Sequence, residues 1–186
     1  MSKNLQSFVK GAGMLRSVVN RVPSDAWDSA SCCEGWSARE VAGHIAWGLD
    51  TTASFAHGSG PAPEIPEADK AGEDPAATVS ASIDGAIASL DRLGALVRPT
   101  PWGMDVDGFC ALMGVDTLTH AWDIADAVGI DHGIDEASAI SAHETISPIA
   151  ERMRGPGRFG DEVRTESPHA IDRFIAFTGR TSVRST

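Results

Sequence analysis

Asp116 and His120 lie one helical turn apart within an otherwise apolar helical stripe, and this placement constrains the fold more than any other feature of the sequence. The stripe repeats in steps of three and four residues, as expected for a helix face that packs into a core. Its members are Phe109, Met113, Asp116, His120, Ile124 and Ala127. Since an unpaired buried charge is costly, these two side chains need a partner on another element, and a divalent metal ion is one such partner.

His44 is the candidate for a third ligand from a different helix. Ser37 and Glu40 form a capping-box pattern that opens a helix, and His44 lies among its core-facing positions. Two histidines and one carboxylate with an open coordination position are typical of a catalytic metal site. The spacing leaves alternatives open: His44 as a hydrogen-bonded core or pocket residue, and Asp116 with His120 as a helix pair that shares a hydrogen bond.

The periodicity elsewhere predicts an all-α protein, an antiparallel helical bundle with additional short C-terminal helices. No convincing strand alternation is present, and 186 residues suit a single domain, residues 1–186, with a core of about 3–153 and an extension of 154–186. Residues 58–74 are predicted to form a long surface loop, which either covers the site or is mobile. Six helices are predicted. The first ends near Val22-Pro23, the second begins at Ser37, and the third begins at Asp74-Pro75 and has Val79, Ile83, Ile87, Leu90 and Val97 in register. The fourth runs from Asp105–Gly108 to Gly129, the fifth from Asp135 to about Met153 with a disturbance at Ser147-Pro148, and the last begins at a cap at Ser167-Pro168.

Charge, hydropathy and cysteine content indicate which partners the protein lacks and in which compartment it works. The net charge of −11 disfavours binding to a phosphate backbone, so we expect no nucleic-acid partner. No apolar run is long enough to span a bilayer, and the N-terminal residues lack the pattern of a signal peptide, so we expect no membrane partner. Three cysteines, two of them adjacent, do not make a disulfide framework, which favours reduced thiols and a cytoplasmic location. The sequence is compatible with either a monomer or a homodimer.

Two further residues have alternative interpretations. Asp123, three residues after His120, could orient the free ring nitrogen of a ligating histidine, or be an ordinary hydrogen-bonded helix residue. Cys33 could be a nucleophile or a soft ligand, but no sequence-adjacent cation would lower its pKa, which favours a small buried residue. Surface or capping roles are expected for the remaining histidines, which are His57, His132, His143 and His169.

The same residues, taken together, resemble a known family. The segment from Cys33 to His44, Cys-Glu-Gly-Trp-Ser-Ala-Arg-Glu-Val-Ala-Gly-His, resembles a motif of the actinobacterial DinB-like metal-binding superfamily. The segment from Asp116 to Ala125 is similar to its (Asp/Glu)-x-x-x-His-x-Trp-Asp-Leu-Ala helix. Two further segments, 157–163 and 172–180, resemble its C-terminal signature. The resemblance is to the branch of the mycothiol-dependent maleylpyruvate isomerase N-terminal domain and covers nearly the whole chain.

This resemblance implies a four-helix-bundle core with a divalent metal at its open end. It places the ligand roles on His44, Asp116 and His120, with Asp116 standing where the isomerase branch has Glu. Zinc is the first choice, and nickel, iron, manganese and cobalt stay open. The resemblance also implies a low-molecular-weight thiol such as mycothiol as cosubstrate, and it assigns no catalytic residue.

Three functions are therefore carried forward. The first is a metal-dependent enzyme that presents a thiolate to a small electrophilic molecule, as an S-transferase or a thiol-assisted isomerase. The second is a hydrolase that uses metal-bound water. The third is a non-catalytic bundle that binds a small ligand in an apolar pocket, with the His/Asp cluster structural.

Overall fold

Helices account for the regular secondary structure of the computed structural model, which describes residues 1–155 and 158–184. Within these residues there is no β-strand, only isolated bridges such as Ala30 with Ser37, so the predicted all-α class is confirmed. A 3₁₀ turn, Ser147–Ile149, separates the sixth and seventh helices at the predicted disturbance. The helices are α1 (Lys3–Val19), α2 (Ala38–Ala56), α3 (Glu67–Ala71), α4 (Pro75–Leu90), α5 (Val106–Val128), α6 (Glu136–Ile146), α7 (Ala150–Met153) and α8 (Ala170–Phe177).

Four long helices, α1, α2, α4 and α5, form the bundle. Helix α5 packs against α1 and α2, while α4 packs against α2 and α1, so the four helices enclose one core. Burying an aliphatic or aromatic side chain in such a core contributes about 1.5–3 kcal/mol. The largest fully buried side chains include Phe8, Leu15, Ile45, Leu49, Ile83 and Ile124.

Small residues allow α1 and α5 to approach closely. A Cβ on Gly11 would lie 2.5 Å from Thr117 Oγ1, and a Cβ on Gly114 would lie 3.2 Å from the backbone nitrogen of Phe8. Side chains at either position would therefore push the two helices apart. The contact seats α5, the helix that carries Asp116 and His120, firmly against α1.

The predicted helix ends with strong local signals are confirmed. Ser37 and Glu40 form the reciprocal capping box of α2. The side chain of Asp74 accepts a hydrogen bond from the backbone of Ala77 ahead of Pro75 at the start of α4. Asp105 caps α5 in the same way, and α5 ends at Gly129, whose φ of 74° is the left-handed conformation that glycine adopts easily.

Three predicted boundaries are wrong. Helix α1 ends at Val19, before Val22-Pro23. Helix α4 ends at Leu90, so that Val97 lies in the following turns and is 75% exposed.

The last helix begins at Ala170, after an N-cap at His169, and not at the predicted Ser167-Pro168 cap. The hydroxyl of Ser167 instead bonds the side chain of Asp172 and the backbone of His169. The backbone N–H of Ala170 donates to Glu136 Oε2 at 2.6 Å, so a side chain of α6 satisfies the start of α8.

The segment 58–74 is more ordered than a simple surface loop, because it contains α3 packed on α2. Gly43 makes this contact possible, since a Cβ there would lie only 1.8 Å from the carbonyl oxygen of Glu67. Trp47 Nε1 also donates to the carbonyl of Ala62 at 3.0 Å, which ties the segment to α2. None of the helices in the described part of the chain combines the length and apolar character that a membrane span requires.

Candidate metal centre

His44, Asp116 and His120 converge in the bundle. His44 comes from α2 and the other two residues from α5, and one ligand atom from each lies within 4.8 Å of the others. The two imidazole rings have centroids 5.0 Å apart, and His120 Nε2 lies 3.4 Å from Asp116 Oδ1. The structure therefore brings together the three residues that spacing and resemblance had selected.

Asp123 fixes the orientation of the His120 ring. His120 Nδ1 donates to Asp123 Oδ2 at 2.8 Å, which directs Nε2 towards Asp116. A neutral ring with its proton on Nδ1 would present a lone pair at Nε2 to a carboxylate that is also an acceptor, so a proton or a cation is needed between them. Burial alone would lower the pKa of His120, but Asp116 and Asp123 raise it well above its ordinary value. The same position suits a metal ion.

His44 and Asp116 have the protonation states that ligands require. Burial is the main cause that lowers the pKa of His44, and the positive charge of His120 adds to it, so its imidazole is neutral with a free lone pair. Burial opposes ionisation of Asp116, but neighbouring His120 outweighs it and lowers the pKa of the carboxyl. The His44 ring packs against Trp36 in a tilted arrangement, with ring centroids 5.0 Å apart. The donor set therefore fits a divalent metal.

A cleft of about 530 Å³ opens beside His44, a volume that suits a small molecule. The segment 58–74 lines one side with Glu64 and Glu67, and α2 lines the other with Gly43 and Trp47. The segment 58–74 therefore borders the cleft at His44.

Asp123 also forms a buried ion pair with Arg180. The carboxylate is fully buried and accepts from Arg180 Nε at 2.7 Å and from Nη2 at 3.0 Å. Burial would raise the pKa of Asp123, but the guanidinium and His120 hold it far below its usual range. Sequence reasoning missed Arg180. The available signal was Asp123 itself, because a carboxylate on a buried helix face needs a cation.

Two cysteines share the same carboxylate. Cys32 Sγ lies 3.1 Å from Asp123 Oδ1, and Cys33 Sγ lies 3.4 Å from Oδ2. A hydrogen bond from Cys32 and the proximity of His120 lower the pKa of Cys33 to about 6, whereas the hydrogen bond to Cys33 and burial raise the pKa of Cys32. Cys33 is therefore half-buried beside groups that lower the pKa of its thiol, and these groups are close in space rather than in sequence.

The remaining histidines lie outside this cluster, as expected. His57 forms the C-cap of α2 and contacts the hydroxyl of Ser89 at 3.2 Å. His132 Nδ1 accepts from the backbone of Ile134, and His169 is the N-cap of α8. The His143 ring packs against Phe177, with centroids 4.4 Å apart.

Comparison with known proteins identifies the family. The profile of the mycothiol maleylpyruvate isomerase N-terminal domain matches residues 10–125, more than half of the chain and the part that holds His44, Asp116, His120 and Asp123. The chain belongs to this family. The DinB-like resemblance is thereby confirmed, although the C-terminal segments 157–163 and 172–180 lie beyond the matched residues. Gly157, the first residue of one segment, also lies outside the described structure.

Two relatives come from Mycobacterium tuberculosis. They are the uncharacterized proteins Rv0738 of strain H37Rv and MT0763 of strain CDC 1551. Each is 30% identical to this chain over 186 residues, which cover 95% of this chain and 97% of the relative. No solved structure is significantly similar to the chain.

Proposed function

We propose that this protein is a divalent-metal-dependent enzyme of thiol chemistry, with His44, Asp116 and His120 as the metal ligands. A low-molecular-weight thiol of the mycothiol type is the cosubstrate, and a small electrophilic molecule is the substrate. The reaction is an S-transfer or a thiol-assisted isomerisation. One observation carries the proposal: the three ligand atoms converge beside a cleft in a chain that belongs to the mycothiol maleylpyruvate isomerase N-terminal domain family.

A divalent metal at this position would lower the pKa of a coordinated thiol, so that the thiol reacts as a thiolate. Zinc is the first choice, and nickel, iron, manganese and cobalt are also compatible with two imidazoles and a carboxylate. The chemistry needs reduced thiols, which favours a cytoplasmic setting.

The residues of the chain prepare the centre by positioning and by charge. Asp123 holds the Nδ1 proton of His120, so that Nε2 keeps its direction towards Asp116. Burial keeps His44 neutral, and Trp36 packs against its ring. The side chain of His120 is 6% exposed and that of Asp116 is 31% exposed. A thiol or a substrate would therefore reach the centre past Asp116 and through the cleft at His44.

The metal assignment is tested by elemental analysis of tag-free protein. We expect a single metal per chain in the wild type and loss of metal in the His44→Ala and His120→Ala variants. His132→Ala is the matched control, because His132 lies in a turn outside the cluster and its variant should keep the metal. Full retention of metal by His120→Ala, with the fold intact by circular dichroism, would contradict the ligand assignment.

The thiol role is tested on protein loaded with cobalt(II). Titration with mycothiol should produce a thiolate-to-cobalt charge-transfer band that is absent from the His120→Ala variant. If the protein converts a substrate without any thiol and gives no such band, the alternative of a hydrolase that uses water as its nucleophile is favoured. A wild type that takes up neither zinc nor nickel would favour a non-catalytic small-ligand-binding bundle.

A further inference from the structure

Cys32 and Cys33 lie in a tight turn that precedes α2. The backbone N–H of Ser31 donates to the carbonyl of Trp36 at 3.0 Å, and the N–H of Trp36 donates to the carbonyl of Cys33 at 2.9 Å. Gly35 closes the turn with a φ of 78°, which a side chain would disfavour. These bonds fix the backbone on both sides of the two cysteines, so the positions of their thiols are determined by the fold.

The two sulfur atoms converge on one side of α5. Both lie against the carboxylate of Asp123, and Cys32 Sγ, Cys33 Sγ and a carboxylate oxygen are within 4.8 Å of one another. Both cysteines are half-buried, so a reagent can reach them, whereas the third cysteine, Cys110, is fully buried. The turn and α5 together therefore form a preorganised dithiol.

Asp123 is not free to act as a third ligand beside the two sulfurs. Its Oδ2 accepts from His120 Nδ1 at 2.8 Å and from Arg180 Nη2 at 3.0 Å, and its Oδ1 accepts from Arg180 Nε at 2.7 Å. A cation bound to this oxygen would face a guanidinium and would have to break a buried ion pair. The cluster therefore suits an uncharged ligand atom that bonds to the two sulfurs alone. It suits a cation poorly, because a cation would also need the carboxylate of Asp123 as a ligand.

We propose that Cys32 and Cys33 form a binding site for trivalent arsenic compounds, in which both sulfurs bond to one arsenic atom. A hydrated organic arsenical, R–As(OH)₂, reacts with the two thiols to form two As–S bonds and break two As–O bonds. Each hydroxide leaves as water with one proton, which comes from the thiol that replaces it or, where that cysteine is a thiolate, from solvent, so two water molecules are released and arsenic stays trivalent. The adduct places no positive charge beside the Asp123–Arg180 ion pair, and Asp123 keeps its three N–H donors.

The two sulfurs are not members of the His44, Asp116 and His120 cluster, and the two sites adjoin at Asp123, which contacts both cysteines and His120. The probe is phenylarsine oxide, added to the folded, full-length chain in the presence of excess 2-mercaptoethanol. The monothiol removes arsenic that is held by a single cysteine, while a dithiol chelate resists it. Intact-mass measurement then counts the phenylarsenic groups that remain on each chain.

We expect a single adduct on the wild type and on Cys110→Ser, and its loss in both Cys32→Ser and Cys33→Ser. Dimercaptopropanol should remove it from the wild type. Circular dichroism verifies that each variant is folded, and if Cys33→Ser fails to fold, the Cys32→Ser variant decides. An adduct that persists in Cys32→Ser, or a folded wild type without one, would overturn the proposal.

Discussion

Replacing Arg180 by Met should destabilise the protein strongly, because it removes the cation that compensates a buried carboxylate. The side chain of Asp123 is fully buried and that of Arg180 is 10% exposed, so solvent cannot replace the guanidinium. Breaking a buried ion pair by removing one partner costs about 3–5 kcal/mol. Met retains much of the apolar stem, which separates the loss of charge from the loss of packing. We therefore expect the free energy of unfolding to fall by about 3–5 kcal/mol.

Urea unfolding of metal-free protein, followed by circular dichroism, measures this loss without a contribution from ligand binding. With an m-value of about 2 kcal/mol/M, the midpoint should fall by about 2 M. Arg164→Met is the matched control, because Arg164 and Glu166 form an ion pair with side chains 89% and 84% exposed. Its effect should stay within about 0.5 kcal/mol.

The double variant Asp123→Asn/Arg180→Met tests the cause. If the cost comes from an uncompensated charge, removing both charges should recover a large part of the stability lost in Arg180→Met alone. Two results would refute the reasoning: a loss below about 1 kcal/mol in Arg180→Met, or a double variant that is no more stable than this single variant.

Three further outcomes are expected. Gly43→Ala should lower the free energy of unfolding by about 1–3 kcal/mol in a thermal melt, because the added Cβ would clash with the backbone of Glu67. Gly13→Ala is the control: a Cβ there would have no atom within 4 Å, so this variant should stabilise α1 by up to about 1 kcal/mol, and similar effects at both positions would contradict this account. Asp123→Asn should weaken metal affinity by about 10–100-fold in a chelator competition, and unchanged affinity would exclude its orienting role. EDTA should lower the Tm of the wild type but not of His120→Ala, whereas an equal shift in both would indicate a different metal site.

Much of the bundle was predictable because its helix ends carry local signals. The capping box of Ser37 and Glu40, the side-chain cap at Asp105 and the left-handed Gly129 each depend on residues within one turn. The predictions were wrong where a residue far away in the sequence determines the local structure. The start of α8 depends on Glu136, 34 residues before Ala170, so the nearby Ser167-Pro168 pattern gave the wrong cap.

The candidate site was also predictable only in part: its three candidate ligands could be selected from the sequence, but Arg180 could not. His44, Asp116 and His120 could be selected because each lies on a core-facing helix position, and helix packing then brings such positions together. Arg180 could not be paired with Asp123 in this way, since it follows the last helix and is separated from its partner by 57 residues. The effect of His120 on Cys33 was hidden for the same reason, because a turn before α2 meets a side chain of α5.

The ion pair of Asp123 and Arg180 bears on the extent of the domain. Asp123 directs the His120 ring, and the residue that compensates its charge lies in the C-terminal extension, 154–186. A core without that extension would leave the carboxylate buried beside His120 and two cysteines but without the guanidinium, and the carboxylate would then take up a proton or reorient towards water. Either change would remove the constraint that keeps His120 Nε2 directed towards Asp116. The C-terminal segment that carries Arg180 therefore helps to position the candidate metal centre.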